Sequence, residues 1–326
     1  METILVTGGA GYIGSITVRR LLEKGYKVVV LDNLSRGYKD SISPYVTFVE
    51  GDIANKGLVK RTIKENNIGA VIHFAGFIQV GESVTHPELY YSNNIVKSIT
   101  FLETLRACKI NKVVFSSSAA VYGLHETMPL SEDVSCDPIN PYGVSKLVIE
   151  KILDAYRIAH DWNYIALRYF NAAGAAYAVG ESHDPETHLI PLVLQVALGV
   201  RDNIHIFGTD YLTSDGTCLR DYVHVLDLAD AHIAALNALE EGKSGIYNVG
   251  TGKGVSVKEI INICREVTRH SIPVVEVERR EGDPPKLVAS VDKIRRELRW
   301  SSAYSIRDII ESAWDWHNKN PEGFKE

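Results

Sequence analysis

A chain of 326 residues, 45% of them hydrophobic, can bury a sizeable core and exceeds the usual extent of a single one, so one large or two smaller domains are expected. Its net charge of -6 provides no basic field for a phosphate backbone or anionic lipid, and no apolar run approaches the roughly 20 residues that cross a bilayer, so neither nucleic acid nor a membrane is expected as a partner. Cys108, Cys136, Cys218 and Cys264 stand singly, without the paired spacing of a zinc site, and no signal peptide precedes the first apolar run, so they read as reduced thiols of a cytoplasmic protein.

Through the first half, short apolar runs alternate with amphipathic stretches, the pattern of a parallel sheet covered by helices. In chain order the spacing predicts strands at 4–7, 28–32, 46–50, 70–74, 112–117 and 163–169. Between them it predicts helices that include 12–24, stopped by Gly25, and 87–109, opened by Pro87. Strands in this rhythm imply an α/β fold with a doubly wound, Rossmann-type parallel sheet. After about Asn171 the pattern loosens into loops rich in Gly, Asp and Pro, then resumes as a helix at 226–240 and a strand at 246–249. Ser256 with Glu259 reads as a capping box, and 305–317 as a late amphipathic helix. We therefore expect a Rossmann domain over 1–171 that regains a segment near 221–250. A smaller, interleaved C-terminal α/β domain for substrate should occupy most of 172–326.

The first predicted strand runs into Gly8-Gly9-Ala10-Gly11-Tyr12-Ile13-Gly14 and then a helical pattern, the setting that a dinucleotide fingerprint requires. Gly8, Gly11 and Gly14 would let the backbone turn sharply and approach a pyrophosphate, whose charge meets free N–H groups and the positive end of the helix. The second strand ends in Asp32, placed to accept hydrogen bonds from ribose hydroxyls and to repel a 2′-phosphate, so NAD is expected rather than NADP. Arg36 nearby reads as a solvated loop charge.

Tyr142 and Lys146 are four residues apart on a predicted helix and so share a face, with the ammonium near the phenol. A tyrosine with its ordinary pKa of about 10 is a poor base at neutral pH and needs a nearby cation to favour the phenolate. The run Ser116-Ser117-Ser118 closes an apolar strand and puts hydroxyls at the carboxyl edge of the sheet, where doubly wound folds bind ligands.

Together these residues resemble the extended short-chain dehydrogenase/reductase family and, within it, the UDP-hexose 4-epimerases. The likeness runs along the chain: TGGAGYIGS at 7–15, DNL at 32–34, GDI at 51–53, HFAG at 73–76, VGESV at 80–84, the serines with VYG at 121–123, and YGVSK at 142–146. It continues in RYFN at 168–171, HLIP at 188–191, GTCLRDYVH at 216–224 and RREGD at 279–283. The resemblance implies an NAD-dependent isomerase in which Tyr142 is the base, Lys146 holds the nicotinamide ribose, and Ser118 relays or holds the sugar 4-hydroxyl. It implies a cofactor lining of Gly8, Gly11, Tyr12, Ile13, Gly14, Asp32, Asn33, Asp52, Ile53, Phe74, Ala75, Gly76, Asn93, Ser116, Tyr142, Lys146 and Tyr169. For the UDP-hexose it implies Ser118, Tyr142, Asn171, His188, Leu189, Phe207, Arg220, Arg280, Asp283 and Leu287, with the two arginines on the pyrophosphate. It also implies a homodimer formed through helices near 91–109 and 141–160.

Three positions depart from family members with the most polar sugar pocket: Ile78 replaces a lysine, His188 an asparagine and Leu287 a tyrosine. Leu287 reads either as a wider sugar pocket or as a core residue of a strand at 286–289. A 4,6-dehydratase is disfavoured because Ala119-Ala120 follow Ser118 where such enzymes carry an Asp-Glu pair. An inactive NAD-binding sensor conflicts with the intact Ser118, Tyr142 and Lys146. His183, Asp184, Glu186 and His188 cluster around Pro185 without helical zinc spacing, so they read as solvated loop polarity and no metal is expected.

Overall fold

The computed structural model describes residues 2–280 and 284–324. Strands β1 (Thr3–Thr7), β2 (Lys27–Asp32), β3 (Thr47–Glu50), β4 (Ile68–His73), β5 (Lys112–Ser118) and β6 (Asn163–Tyr169) form where β-branched and aromatic runs are bounded by Gly, Asn and Asp. All pair in parallel, in the order β3-β2-β1-β4-β5-β6. Helices α1 (Tyr12–Glu23), α2 (Lys56–Asn66), α3 (Val80–Thr85), α4 (Pro87–Tyr90), α5 (Lys97–Ala107) and α6 (Pro141–His160) make the crossovers. Because side chains alternate along a strand, Ile4, Val6, Val30 and Ile72 enter one apolar layer with Val18 and Leu21 of α1. Leu5, Val29, Leu31 and Val71 enter the opposite layer with Val59 of α2, Leu102 of α5 and Leu153 of α6.

The helix expected at 87–109 is interrupted. α4 ends at Tyr90, a π-helical turn spans Tyr91–Val96, and α5 begins at Lys97. The wider turn brings Asn94 inward to 4% exposure, where its Oδ1 accepts the Phe77 N–H at 2.8 Å and its Nδ2 donates to the Phe77 carbonyl and Ser145 Oγ. Polar periodicity does not register one inserted residue, so the interruption depends on these distant partners.

Beyond β6 come β7 (Asn171–Ala173), α7 (Leu189–Ala197), β8 (Ile204–Phe207), β9 (Leu219–His224), α8 (Val225–Glu240) and β10 (Gly245–Val249). β10 pairs in parallel with β6 and completes a seven-stranded sheet, while α8 packs beside α1. The chain then forms β11 (Gly254–Ser256), α9 (Val257–Thr268), β12 (Val274–Val277), β13 (Lys286–Leu287), α10 (Asp292–Leu298) and α11 (Ile306–Lys319). β9 pairs with β7, β11 and β13, β12 pairs with β8, and α7, α9 and α11 close a separate apolar cluster over them. Ser256 Oγ accepts the Glu259 N–H at 3.0 Å, but the reciprocal capping box forms at Ser305 and Asp308, which open α11. Among the described residues no helix is long and apolar enough to cross a membrane.

Candidate active site

Strand order reverses between β1 and β4, and a cleft of about 2480 Å³ opens there along the carboxyl ends of the strands. Every described residue assigned above to cofactor or substrate lines this cleft; Asp283 lies outside the described residues. Gly8 has a φ of +72°, and a Cβ there would meet the Ala75 nitrogen at 2.6 Å, so the loops after β1 and β4 approach only because this residue is glycine. Gly11 caps α1 without a side chain, no acidic residue occupies the first turn, and a Cβ at Gly11 would meet only Gly8 O, at 3.4 Å. The helix start therefore presents N–H groups to open space, a cradle that fits a dinucleotide pyrophosphate.

At the tip of β2, Asp32 Oδ2 accepts the Ala10 N–H at 2.9 Å and Oδ1 the Leu34 N–H at 2.8 Å, leaving a lone pair on each oxygen for a ribose. Burial raises its pKa, and these N–H groups oppose the rise. Asp52 on the neighbouring loop binds the Lys97 ammonium at 2.6 Å and the Asn33 amide at 3.2 Å. Arg36 is exposed, its side chain at 45%, as expected of a solvated loop charge; it also pairs with Glu82 at 2.7 Å and stands 5.3 Å over the Phe77 ring at the cleft wall. Asp32→Ala is expected to weaken NAD by about tenfold or more, as loss of hydrogen bonds to a charged group commonly does, while UDP binding stays unchanged. Calorimetric titration of each ligand checks this.

Asn140 caps α6 by accepting the Gly143 N–H at 2.8 Å, and Pro141 supplies the first helical position. A Cβ on Gly143 would lie 2.5 Å from the Ala120 carbonyl, so glycine lets the start of α6 press against the turn after β5. That contact brings Tyr142 beside Ser118, whose hydroxyl also accepts the Ala120 N–H at 3.2 Å. Burial pushes the Tyr142 phenol up and the neighbouring Ser118 hydroxyl pulls it down. One turn on, Lys146 Nζ lies 5.8 Å from the Tyr142 ring centre and donates to the Ser116 carbonyl at 2.8 Å. Burial brings its pKa down to about 8, with the Glu150 carboxylate opposing. Ser117 faces the other side of β5 and donates to Glu150 Oε1. Glu150 also takes two bonds from Arg168, at 3.0 and 2.7 Å, with both side chains under 5% exposed.

Across the cleft, Arg220 on β9 donates to the Leu219 and Pro284 carbonyls, each at 2.9 Å, and the Arg280 guanidinium lies 4.1 Å over the Phe207 ring. Asp221, beside Arg220 in sequence, turns inward instead: its carboxylate accepts N–H groups of Thr251, Gly252 and Ala289 and the Thr251 hydroxyl. Leu287 packs partly against the main core and also lines the cleft, on a strand that stops at its own position rather than at 289.

The loop before α7 corrects part of an expectation: the side chains of Glu181, Glu186 and His183 are withdrawn from solvent, at 6, 7 and 17% exposure, whereas His188, at 42%, and Asp184 remain open to it. Glu181, absent from the sequence reading, completes the group, whereas Asp184 lies outside it. The carboxylates hold His183 up at about 9 and raise His188, although burial of both rings works the other way. Sequence reasoning also passed over Asn94 and Glu150; the four-residue spacing of Glu150 from Lys146 on one helix face was the available signal.

Residues 4–250 match the model of the NAD dependent epimerase/dehydratase family. A UDP-glucose 4-epimerase of Halalkalibacterium halodurans is 50% identical over 325 residues, covering 98% of this chain and 97% of the relative. The crystal structure of UDP-glucose 4-epimerase from Bifidobacterium longum in complex with NAD+ and UDP has a TM-score of 0.92 at 39% identity, covering 99% of this chain and all (100%) of that one. The UDP-Glc/GlcNAc 4-epimerase of Campylobacter jejuni has a TM-score of 0.88 at 41% identity, covering 98% of this chain and 100% of that one. With a glycine cradle at the switch point and a tyrosine, serine and lysine gathered beside it, this chain belongs to the NAD dependent epimerase/dehydratase family and, within it, to the UDP-glucose 4-epimerases.

Proposed function

We propose that Tyr142, Ser118 and Lys146 carry out the interconversion of UDP-glucose and UDP-galactose at carbon 4 of the sugar. The observation that carries this assignment is the buried Tyr142 phenol, gathered with Ser118 and Lys146 in one cleft at the carboxyl edge of the sheet beside the dinucleotide cradle. NAD, when bound, supplies the oxidant for carbon 4 and returns the same two electrons to the opposite face of the sugar. Tyr142 takes the 4-hydroxyl proton, directly or through Ser118, and gives it back when the 4-ketose is reduced. Lys146 holds its ammonium at the base of the cleft, where it steadies the nicotinamide ribose and favours the phenolate. The ketose must turn over between the two half-reactions, so grip belongs on the nucleotide rather than on the hexose. Arg220 and Arg280 in the cleft lining, with the apolar Ile78 and Leu287, suit that division. The sites are proposed to work in a cytoplasmic homodimer, a reading supported by the four free cysteines and by exposed Leu89, Tyr91, Val96 and Ile158 on the α4–α6 face.

Leu287 bears on the choice of hexose, since leucine leaves room that a tyrosine ring and hydroxyl would fill. The purified protein is expected to carry NAD, to interconvert UDP-glucose and UDP-galactose, and to turn over UDP-N-acetylglucosamine more slowly. Product analysis with each nucleotide sugar, repeated on Leu287→Tyr, tests this. Suppression of the N-acetyl reaction by about tenfold or more, with the plain sugar spared, is the expected result, in line with what one misfitting group costs a pocket. Equal loss on both substrates, or on neither, removes Leu287 from the specificity account. Absence of any 4-epimer from UDP-glucose removes the whole reading.

A further inference from the structure

Glu181, His183, Glu186 and His188 issue from a single loop between β7 and α7, yet they place one nitrogen or carboxylate oxygen each within 4.8 Å of all the others. Glu181 Oε1 lies 2.9 Å from His188 Nδ1 and 3.3 Å from His183 Nδ1. Glu186 Oε1 lies 2.8 Å from His188 Nδ1, and its Oε2 lies 3.6 Å from His183 Nδ1. A tetrahedral ion held by nitrogen and oxygen at roughly 2.0–2.1 Å has ligand-to-ligand edges of about 3.3 Å, which falls within this spread. Hydrogen bonding accounts for the His188 contact with Glu186 but for neither contact at His183. Its Nδ1 is buried and has no hydrogen-bond partner among the described residues, although two carboxylates face it. Glu186 Oε1 is already taken by the N–H groups of Thr187 and His188, at 2.7 and 2.8 Å, so Oε2 is its spare donor.

We propose that these four side chains are a binding site for one divalent transition-metal ion of the zinc class, which fastens the 181–188 wall of the cleft. Two imidazoles and two carboxylates suit zinc, whereas calcium and magnesium call for six or more oxygens and a roomier shell. Two carboxylates neutralise the ion, which enters as the protons on the imidazole Nδ1 atoms leave, so the group keeps its net charge. Four protein ligands leave no open position, so the site is structural and takes no part in the reaction at carbon 4. Neighbouring polar groups are otherwise engaged or outside the cluster: the Tyr12 hydroxyl donates to the Gly174 carbonyl at 2.5 Å, and His317 on α11 is a ring whose pKa burial lowers, with the Glu181 and Glu186 charges opposing. Arg36 touches only the Asp184 carbonyl of this loop, at 3.4 Å.

The test uses the full-length holoprotein, treated with chelator, desalted, and titrated with Co²⁺ and then Zn²⁺. Expected are one Co²⁺ per chain with the intense visible absorption of tetrahedral cobalt, its displacement by Zn²⁺, and a rise in the thermal midpoint on loading. His183→Gln and Glu186→Gln should each lose the absorption and bind at least tenfold more weakly, while His160→Gln, remote on α6, should bind as the wild type does. Using two ligand variants keeps the test decisive when either one fails to fold. Absence of a saturable one-ion step overturns the proposal. So does a weak octahedral cobalt spectrum, or undiminished binding in both ligand variants.

Discussion

Tyr142→Phe lowers the rate of UDP-glucose epimerisation by about 10²–10⁴-fold, the usual cost of removing a positioned general base. Phenylalanine keeps the ring that packs edge-on to Tyr90 at 6.4 Å, so the helix start and the cleft persist and only the proton acceptor is lost. Titrations of NAD and UDP should therefore match the wild type while turnover falls. Wild-type turnover in this variant would falsify the role given to Tyr142. The direction of the Tyr142 pKa sharpens the expectation. Burial holds the proton on the phenol in the free protein, opposed by Ser118, so cationic charge beside the ring is needed for the phenolate. Lys146 and the positively charged nicotinamide are the two sources, and Lys146→Met should shift the pH optimum upward as well as lower the rate.

Glu150→Gln destabilises the protein by about 3–5 kcal/mol, because it leaves the Arg168 guanidinium buried without its counter-charge. Arg168 is 3% exposed and already carries an Nη1 with no hydrogen-bond partner among the described residues, so little water reaches the site to compensate. Denaturant unfolding with an unchanged slope and a lowered midpoint measures the loss. Glu150 also acts on Lys146, one turn away on α6. Its carboxylate supports an ammonium that burial has brought down to about 8, so removing it lowers that pKa further. The alkaline limb of the rate should then move to lower pH. A purely structural role predicts lower stability with an unmoved pH profile, and that result would end the assignment of Glu150 as a positioning residue for Lys146.

The parts of this protein that were legible in sequence are those decided within one or two turns of chain. The strand–glycine–helix opening, the Asp32 that ends β2, the pairing of Tyr142 with Lys146 and the alternation of apolar strands with helices all follow from local periodicity and from glycine's backbone freedom. Strand limits shifted by a residue or two because fraying ends answer to neighbours rather than to pattern. Asn94 shows what local pattern misses. It sits in a π-helical turn within a helix that periodicity draws as uniform, where Phe77 and Ser145, distant in sequence, satisfy its amide.

Charge proved the least legible property. The 181–188 loop carries the composition of solvated surface, yet Glu181 and Glu186 lie almost wholly out of water. Asp221 and Arg220 are adjacent in sequence and face opposite ways, since successive residues of a strand point to opposite sides. Sequence by itself determined which chemistry-bearing residues exist and which of them share a helix face or a strand edge. Only the tertiary structure decided which charges are buried and with what they pair, because desolvation depends on every element packed around a group and not on its neighbours along the chain.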